Sequence, residues 1–208
     1  MLNCGVNKIM SWRDRLNSFT GKTRIVVSRV MLQLNGSEVA PLLGILNSAA
    51  RSAVEADGDL EVMGEELANI CQSLLQQQIN WQSGGNEGDV FWDEGEAGDY
   101  VNELFTDSAQ RYLSTPDYNE ITAGETFSLP ATTNLVVMLT IACEGELPDL
   151  ETNLAANIEA MEDGLKALIN LHYQRQLRAV QFHFSPARLG DELTDEQVLL
   201  NFPELVPL

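Results

Sequence analysis

Apolar residues recur at alternate positions over three stretches of the chain and at spacings of three and four over four others. This patterning predicts an order of elements before any composition is considered. From Arg24 to Leu34, Val26, Val30, Leu32 and Leu34 share one side of an alternating run, with Ser28 the polar member of that face, which reads as a strand. Asn35 and Gly36 are turn residues. Ser37 is then placed to cap a helix whose buried side is Val39, Leu42, Leu43, Leu46 and Ala50, with Pro41 tolerated in its first turn. After Asp57, Gly58 and Asp59, the positions Leu60, Met63, Leu67, Ile70, Cys71, Leu74 and Leu75 form the clearest helical stripe, extended toward water by Gln76 to Gln78.

The second half repeats both periods. Tyr100 to Leu113 has Val101, Leu104, Phe105 and Tyr112 on one helical face, and Ser114 to Ala131, with Pro116, Gly124 and Pro130, reads as a connection. Asn134 to Cys143 alternates with apolar residues on both sides, the mark of a central strand covered on both faces. A helix follows with Leu150, Leu154, Ile158, Met161, Leu165 and Leu168, and Gly164 inside it signals a close contact. Leu177 to Phe184 is another strand, with Val180, Phe182 and Phe184 on one face. Two strands joined through a helix imply a right-handed crossover and parallel neighbours. Thr194 and Gln197 form a capping-box pattern, with Leu193 and Val198 spaced as a hydrophobic staple. The sum is an α+β fold: a small mixed sheet of about three strands covered by amphipathic helices.

Between these elements lies Ser83 to Asp99, rich in glycine and acids, which reads as a solvated loop feeding carboxylates into the next helix. Phe91 and Trp92 interrupt it. They pack back on the body or form a partner site. Ca²⁺ binding is an alternative for so many carboxylates, although their spacing does not match an EF-hand loop.

Charge changes the picture. The chain of 208 residues has a formal charge of −19, from 12 Lys plus Arg against 31 Asp plus Glu. Six cations, Lys8, Arg13, Arg15, Lys22, Arg24 and Arg29, precede Glu38 with only Asp14 beside them, a net of +5 that leaves −24 for the remainder. So acidic a body repels nucleic-acid backbones. Residues 1–21 therefore read as a basic arm ahead of one α+β domain over 22–208. Within the arm, Val6 to Phe19 suits an amphipathic helix carrying Lys8, Arg13 and Arg15, with Trp12 beside the apolar Ile9, Met10, Leu16 and Phe19. The commoner role for such a segment is to dock on the rest of the protein; the alternative is peripheral contact with an anionic membrane surface.

Candidate chemistry is sparse. Cys4, Cys71 and Cys143 are widely separated and read as reduced thiols, the latter two as small core residues. His172 and His183 are the only histidines and have no nucleophile or carboxylate in a recognisable catalytic spacing. No phosphate-binding glycine loop is present and no cofactor is implied. No apolar run reaches the ~20 residues of a membrane span, and the N-terminus lacks the apolar core of a signal peptide.

The closing residues carry a family likeness. The run Leu177-Arg178-Ala179-Val180-Gln181-Phe182-His183-Phe184-Ser185-Pro186, then Gly190-Asp191, Leu193-Thr194, Phe202-Pro203 and Leu205-Val206-Pro207-Leu208, resembles the C-terminus of the uncharacterised family called domain of unknown function 1517. That family ends with a strand running into a Trp-Thr-Pro-like corner, a Gly-Asp, a short acidic helix and a Tyr-Pro…Leu close. Here Phe184 and Ser185 replace the usual Trp and Thr, and Phe202 the usual Tyr. The strand from Asn134 and the helix from Leu60 to Trp81 are also similar, so the resemblance covers Arg24 to Leu208.

The resemblance implies a cyanobacterial or plastid source and a link to photosynthetic membranes. It brings no activity and no catalytic residues. Many relatives have a Gly-rich segment and a membrane span upstream, and this chain shows neither, so the expected placement is cytoplasmic or stromal, peripheral to the thylakoid at most. The expected function is that of a non-enzymatic interaction or regulatory protein with a protein partner. Its candidate contacts with a partner or membrane are Lys8, Trp12, Arg13, Arg15, Lys22, Phe91 and Trp92. The rival reading is a small-molecule-binding module or enzyme with a site between helices and sheet.

Overall fold

The structure is a computed structural model and describes residues 22–36, 39–111, 132–187 and 191–208. The basic arm with Cys4, the Ser37 cap, Tyr112, the Ser114 to Ala131 connection and Gly190 lie outside these residues.

Among the described residues, five strands form one sheet: β1 (Ile25–Asn35), β2 (Trp81–Phe91), β3 (Asn134–Glu144), β4 (Leu177–Ser185) and the short β5 (Val206–Pro207). Their order is β4-β3-β1-β2-β5, and every neighbouring pair is antiparallel. The helices are α1 (Val39–Glu55), α2 (Leu60–Gln76), α3 (Glu94–Gln110), α4 (Ile158–Tyr173) and α5 (Asp195–Asn201).

Strand alternation divides the core. One face of β1 and β3 offers Val26, Val30, Leu32, Val137, Leu139 and Ile141 to the apolar stripes of α1, α2 and α4. The other face meets α3 at Ile25, Val27 and Ala142, and α5 at Met31, Val136 and Met138. β3 is buried at every position but its last, as its two-sided apolar pattern predicts. Each fully buried Leu, Ile or Val contributes about 1.5–3 kcal/mol, so this strand and its neighbour β1 dominate the core.

Smaller expectations hold as well. Gly164 lets α4 press on the loop before it: a Cβ there would meet Leu154 Cδ1 at 2.7 Å. Thr194 Oγ1 accepts from the Gln197 amide at 3.2 Å while Gln197 Oε1 accepts from the Thr194 amide at 2.9 Å, completing the capping box.

Three expectations are corrected. The sheet has five strands rather than about three, because the acidic Ser83 to Asp99 stretch is not a loop. Its first part is β2, paired with β1 from Ile25↔Phe91 to Leu34↔Trp81, and its last part is the start of α3. The glycines that suggested a loop are required by close approach. A Cβ on Gly88 would lie 2.3 Å from the Val27 carbonyl oxygen, and one on Gly85 would lie 2.9 Å from that of Glu204.

The sheet is not mixed. β3 and β4 run antiparallel, from Val136↔Ser185 to Cys143↔Leu177. Their connection travels outward to β2 before α4 carries it back, so it returns to the end of the sheet it left. Asn86 of β2 holds the outward limb: its Nδ2 donates to the carbonyls of Thr152 (2.8 Å) and Leu150 (3.3 Å), and its Oδ1 accepts from the Leu154 amide (2.8 Å). The same detour corrects the third expectation, since Leu150 and Leu154 precede the helix, which begins at Ile158.

Candidate functional site

Among the described residues, the α3 side of the sheet holds a linked set of charged side chains. Asp93 caps α3 by accepting from the Glu96 amide at 3.1 Å, and Glu94 and Glu96 occupy the first turn, where the helix dipole favours them. Within Glu94–Gln110, Glu94, Glu96, Asp99, Glu103 and Asp107 face no basic residue of the same helix. Ala97, Val101, Leu104 and Ser108 form its buried side.

Arg29 of β1 points up into that side and is 1% exposed. Its Nη1 donates to Asp107 Oδ2 at 2.5 Å, to Ser108 Oγ at 2.8 Å and to the Leu104 carbonyl at 3.3 Å. Its Nε donates to Glu87 Oε1 at 2.8 Å, and Nη2 reaches the same oxygen. Arg111 extends the chain of charges, pairing with Asp107 (2.9 Å) and Glu204 (2.7 Å). Burial opposes the Asp107 charge, but the hydrogen bonds from Arg29 and Arg111 outweigh it and hold its carboxyl below the usual range. Arg111 holds Glu204 low in the same way. Arg24 is likewise internal, donating to Glu151 Oε2 at 2.9 Å and to the Gly145 carbonyl at 2.7 Å. The excess of cations early in the sequence is therefore partly folded inward, and Arg24 and Arg29 neutralise the body's own acids.

Beside this hub, polar atoms of β3 and β4 lack hydrogen-bond partners: Thr140 Oγ1, Gln181 Oε1, His183 Nδ1 and Ser185 Oγ. Thr140 stands beside Arg29 in register, and Gln181 beside Thr140 on its far side. The His183 ring meets Phe105 edge-on at 5.1 Å, and burial followed by the Arg29 charge lowers its pKa. His172 lies across the sheet, where Gly64 of α2 makes room for it: a Cβ at Gly64 would be 2.3 Å from His172 Nδ1. The two histidines thus do not converge. Among the described residues, no three His, Cys, Asp or Glu side chains could together hold a metal ion. Cys71 and Cys143 are buried, and burial raises both thiols, Cys143 to about 12.

A cleft of about 670 Å³ opens between the first turns of α3 and strands β3 and β4. Its floor is Ile25, Ala97, Val101, Ala142 and Ala179, and its rim includes Lys22, Trp92 and Glu94. Arg178 and Glu144, 2.7 Å apart, close one side, and Gln181 lies at the base. A smaller cleft of about 360 Å³ lies on the opposite face, where Ser28 and Gly88 leave a gap under residues 150–153; the Ser28 hydroxyl there has no partner.

Of the contact residues expected from sequence, Lys8, Trp12, Arg13 and Arg15 lie outside the described residues. Lys22 and Trp92 come together on the larger cleft. Phe91 packs inward, its ring 5.3 Å from that of Tyr100. In the sequence, Arg29 stands out only by its charge. An arginine within a mostly apolar strand needs polar partners when it is buried, and that is the signal that points to it.

No helix among the described residues is long and apolar enough to cross a membrane. Neither a protein of curated function nor a solved structure matches the chain. Residues 24–208 match the model of a family described as a protein of unknown function, DUF1517. With the match running from the start of β1 through β5, the chain belongs to the DUF1517 family.

Proposed function

We propose that this chain is a non-enzymatic interaction or regulatory protein that engages a protein partner, acting peripherally at photosynthetic membranes or their complexes. The observation that carries the reading is the meeting of Lys22 and Trp92 on one open cleft beside an acidic helix. Tryptophan is among the residues that most often anchor a protein–protein contact. The separation of His172 from His183 by the sheet supports a binding role over acid–base catalysis. The photosynthetic setting rests on the family resemblance of the closing residues.

The test is affinity capture from a cyanobacterial thylakoid extract, comparing the full chain with Trp92→Ala and Lys22→Glu variants. A protein retained by the full chain and lost from both variants is the expected outcome. An identical captured set for all three would end the reading of this cleft as the contact. Cosedimentation with anionic vesicles, with and without the residues before Gly21, tests the membrane part. Equal binding by both forms would remove the arm from it.

A further inference from the structure

We propose that the outer edge of β2, from Asn86 to Val90, receives an extended basic segment of a partner protein as a further strand, with its cations beside Asp89 and its alternate side chains in the notch over Ser28. The inference goes beyond the functional reading, because it concerns another surface, and neither Lys22 nor Trp92 takes part in it.

Four observations lead to it. The first is an unfinished sheet edge. β5 pairs with β2 only at Ser83 and Gly84, and among the described residues no strand continues beside Gly85 to Phe91. Gly88 and Asp89 are exposed there.

The second is the direction of the backbone. The Val90 amide donates to Asp89 Oδ1 at 2.7 Å, a side chain standing in for a strand neighbour. By the strand's period of two, Asn86 and Gly88 turn their N–H and C=O groups to the same side, where an added strand would pair with them.

The third is the notch. Gly88 pairs with Ser28 and has no side chain to fill the space above it, which leaves the cleft of about 360 Å³ under residues 150–153. The Ser28 hydroxyl faces this gap, 2% exposed and without a partner. An unpaired buried hydroxyl is costly, and a threonine-sized side chain entering from the edge would answer it.

The fourth is charge. Glu87 and Asp89 lie on the face opposite the notch. Burial first, then Glu87, Asp89 and Glu103 of α3, raise the Tyr100 phenol, so the three carboxylates gather round it. Arg29 takes up Glu87, but among the described residues Asp89 meets no cation. Antiparallel pairing of two such edges about Gly88 would set Glu87 against Asp89. Like charges face to face disfavour a second copy and select a cationic segment. The recognised pattern is then basic residues on the Asp89 side alternating with short polar ones on the Ser28 side.

A fluorescent peptide of about ten residues, alternating lysine and threonine, tests this by anisotropy against the full chain. Saturable binding is expected. Methylating the peptide's backbone amides keeps every charge but removes the donors, and should weaken binding about tenfold. Asp89→Lys, at an exposed position, should weaken it about fivefold. Glu65→Lys, an equal change of net charge on exposed α2 surface, should leave it unchanged. Circular dichroism confirms that both variants are folded. With the peptide bound, the Gly88 amide should exchange about tenfold more slowly by NMR. Absence of binding, equal binding of the methylated peptide, equal loss in Glu65→Lys, or protection of Gly88 before any peptide is added, by a second copy or another segment, would each overturn the proposal. A failed capture through Lys22 and Trp92 would leave these readouts untouched, so the two ideas fail separately.

Discussion

Arg29 Nη1 lies 2.5 Å from Asp107 Oδ2, a bond that joins the first strand to the last turn of α3 across 78 positions of sequence. It fixes the helix on the sheet where apolar contact alone is thin, since the packing under α3 is a small cluster around Ile25, Val27 and Ala142. Replacing Arg29 by Ala leaves Glu87 without its counter-charge and Asp107 with Arg111 alone. Removing one member of a fully buried pair costs ~3–5 kcal/mol, but these acids are 37% and 39% exposed and water relieves part of the loss. The expected destabilisation is about 2–3 kcal/mol by urea denaturation. Arg29→Met, which keeps the volume, should cost less, and the Asp107→Asn change less again. Equal stability of Arg29→Ala and the parent would contradict the hub.

The glycines of the acidic stretch should behave in opposite ways. Gly88→Ala forces a methyl group against the Val27 carbonyl in the β1–β2 pair, so the backbone must shift, at a cost of about 1–3 kcal/mol. Gly98 sits in α3 with open space around it and no unusual backbone angle, so Gly98→Ala should gain about 0.5–1 kcal/mol through helix propensity. Thermal melts of the two variants read both signs. A solvated loop would show neither.

His183 gives the fold a pH dependence near neutrality. Its folded pKa is depressed, first by burial and then by Arg29, so the unfolded chain binds more protons in the window below the ordinary histidine value of about 6.5. Stability should therefore decline as pH falls through that window. In His183→Phe this decline should flatten between pH 7.5 and 5.5, measured as the shift in urea midpoint. At lower pH a separate loss follows, as Asp107 and Glu204, whose folded values lie below their ordinary ones, are protonated and release Arg29 and Arg111.

Neither core thiol should react in the folded protein. Cys71 is 0% exposed and Cys143 also 0%, and burial raises both pKa values, so thiolate is scarce. With Cys4 replaced by serine, Ellman's reagent should find no thiol at pH 8 and two after unfolding. Rapid labelling of the native form would refute the packing around β3.

The elements that display a period were legible. Leu67, Ile70, Cys71 and Leu74 announce α2, and the doubly apolar β3 announces the centre of the sheet. β2 was hidden because what makes it a good neighbour also removes its pattern. Gly84 lies under Met161 and Leu208, Gly85 against the Glu204 backbone and Gly88 against Val27, so side chains that would have alternated are absent. The antiparallel β3–β4 pair was hidden for another reason. The crossover rule assumes that the connection crosses the sheet once, whereas Asn86 draws residues 150–154 out to β2 first. The cleft was half visible: Lys22 and Trp92 could be named as contacts, but their meeting depends on β1 and α3 starting at the same end of the sheet. Gln181 and Thr140 gave no signal, because a polar residue in a strand usually faces water.

The strand order has a consequence in time. β1 lies between β2 and β3, and its register joins Ile25 to Phe91 on one side and to Glu144 on the other. Emerging from a ribosome, β1 waits for more than half the chain before its second neighbour exists, and β4 comes later still. One edge of β1 can pair once β2 emerges, but the other edge of this apolar strand stays open through that interval. Such remote pairing places refolding among the slow small proteins, on the order of milliseconds to seconds, and makes nascent β1 the segment most in need of a chaperone's cover.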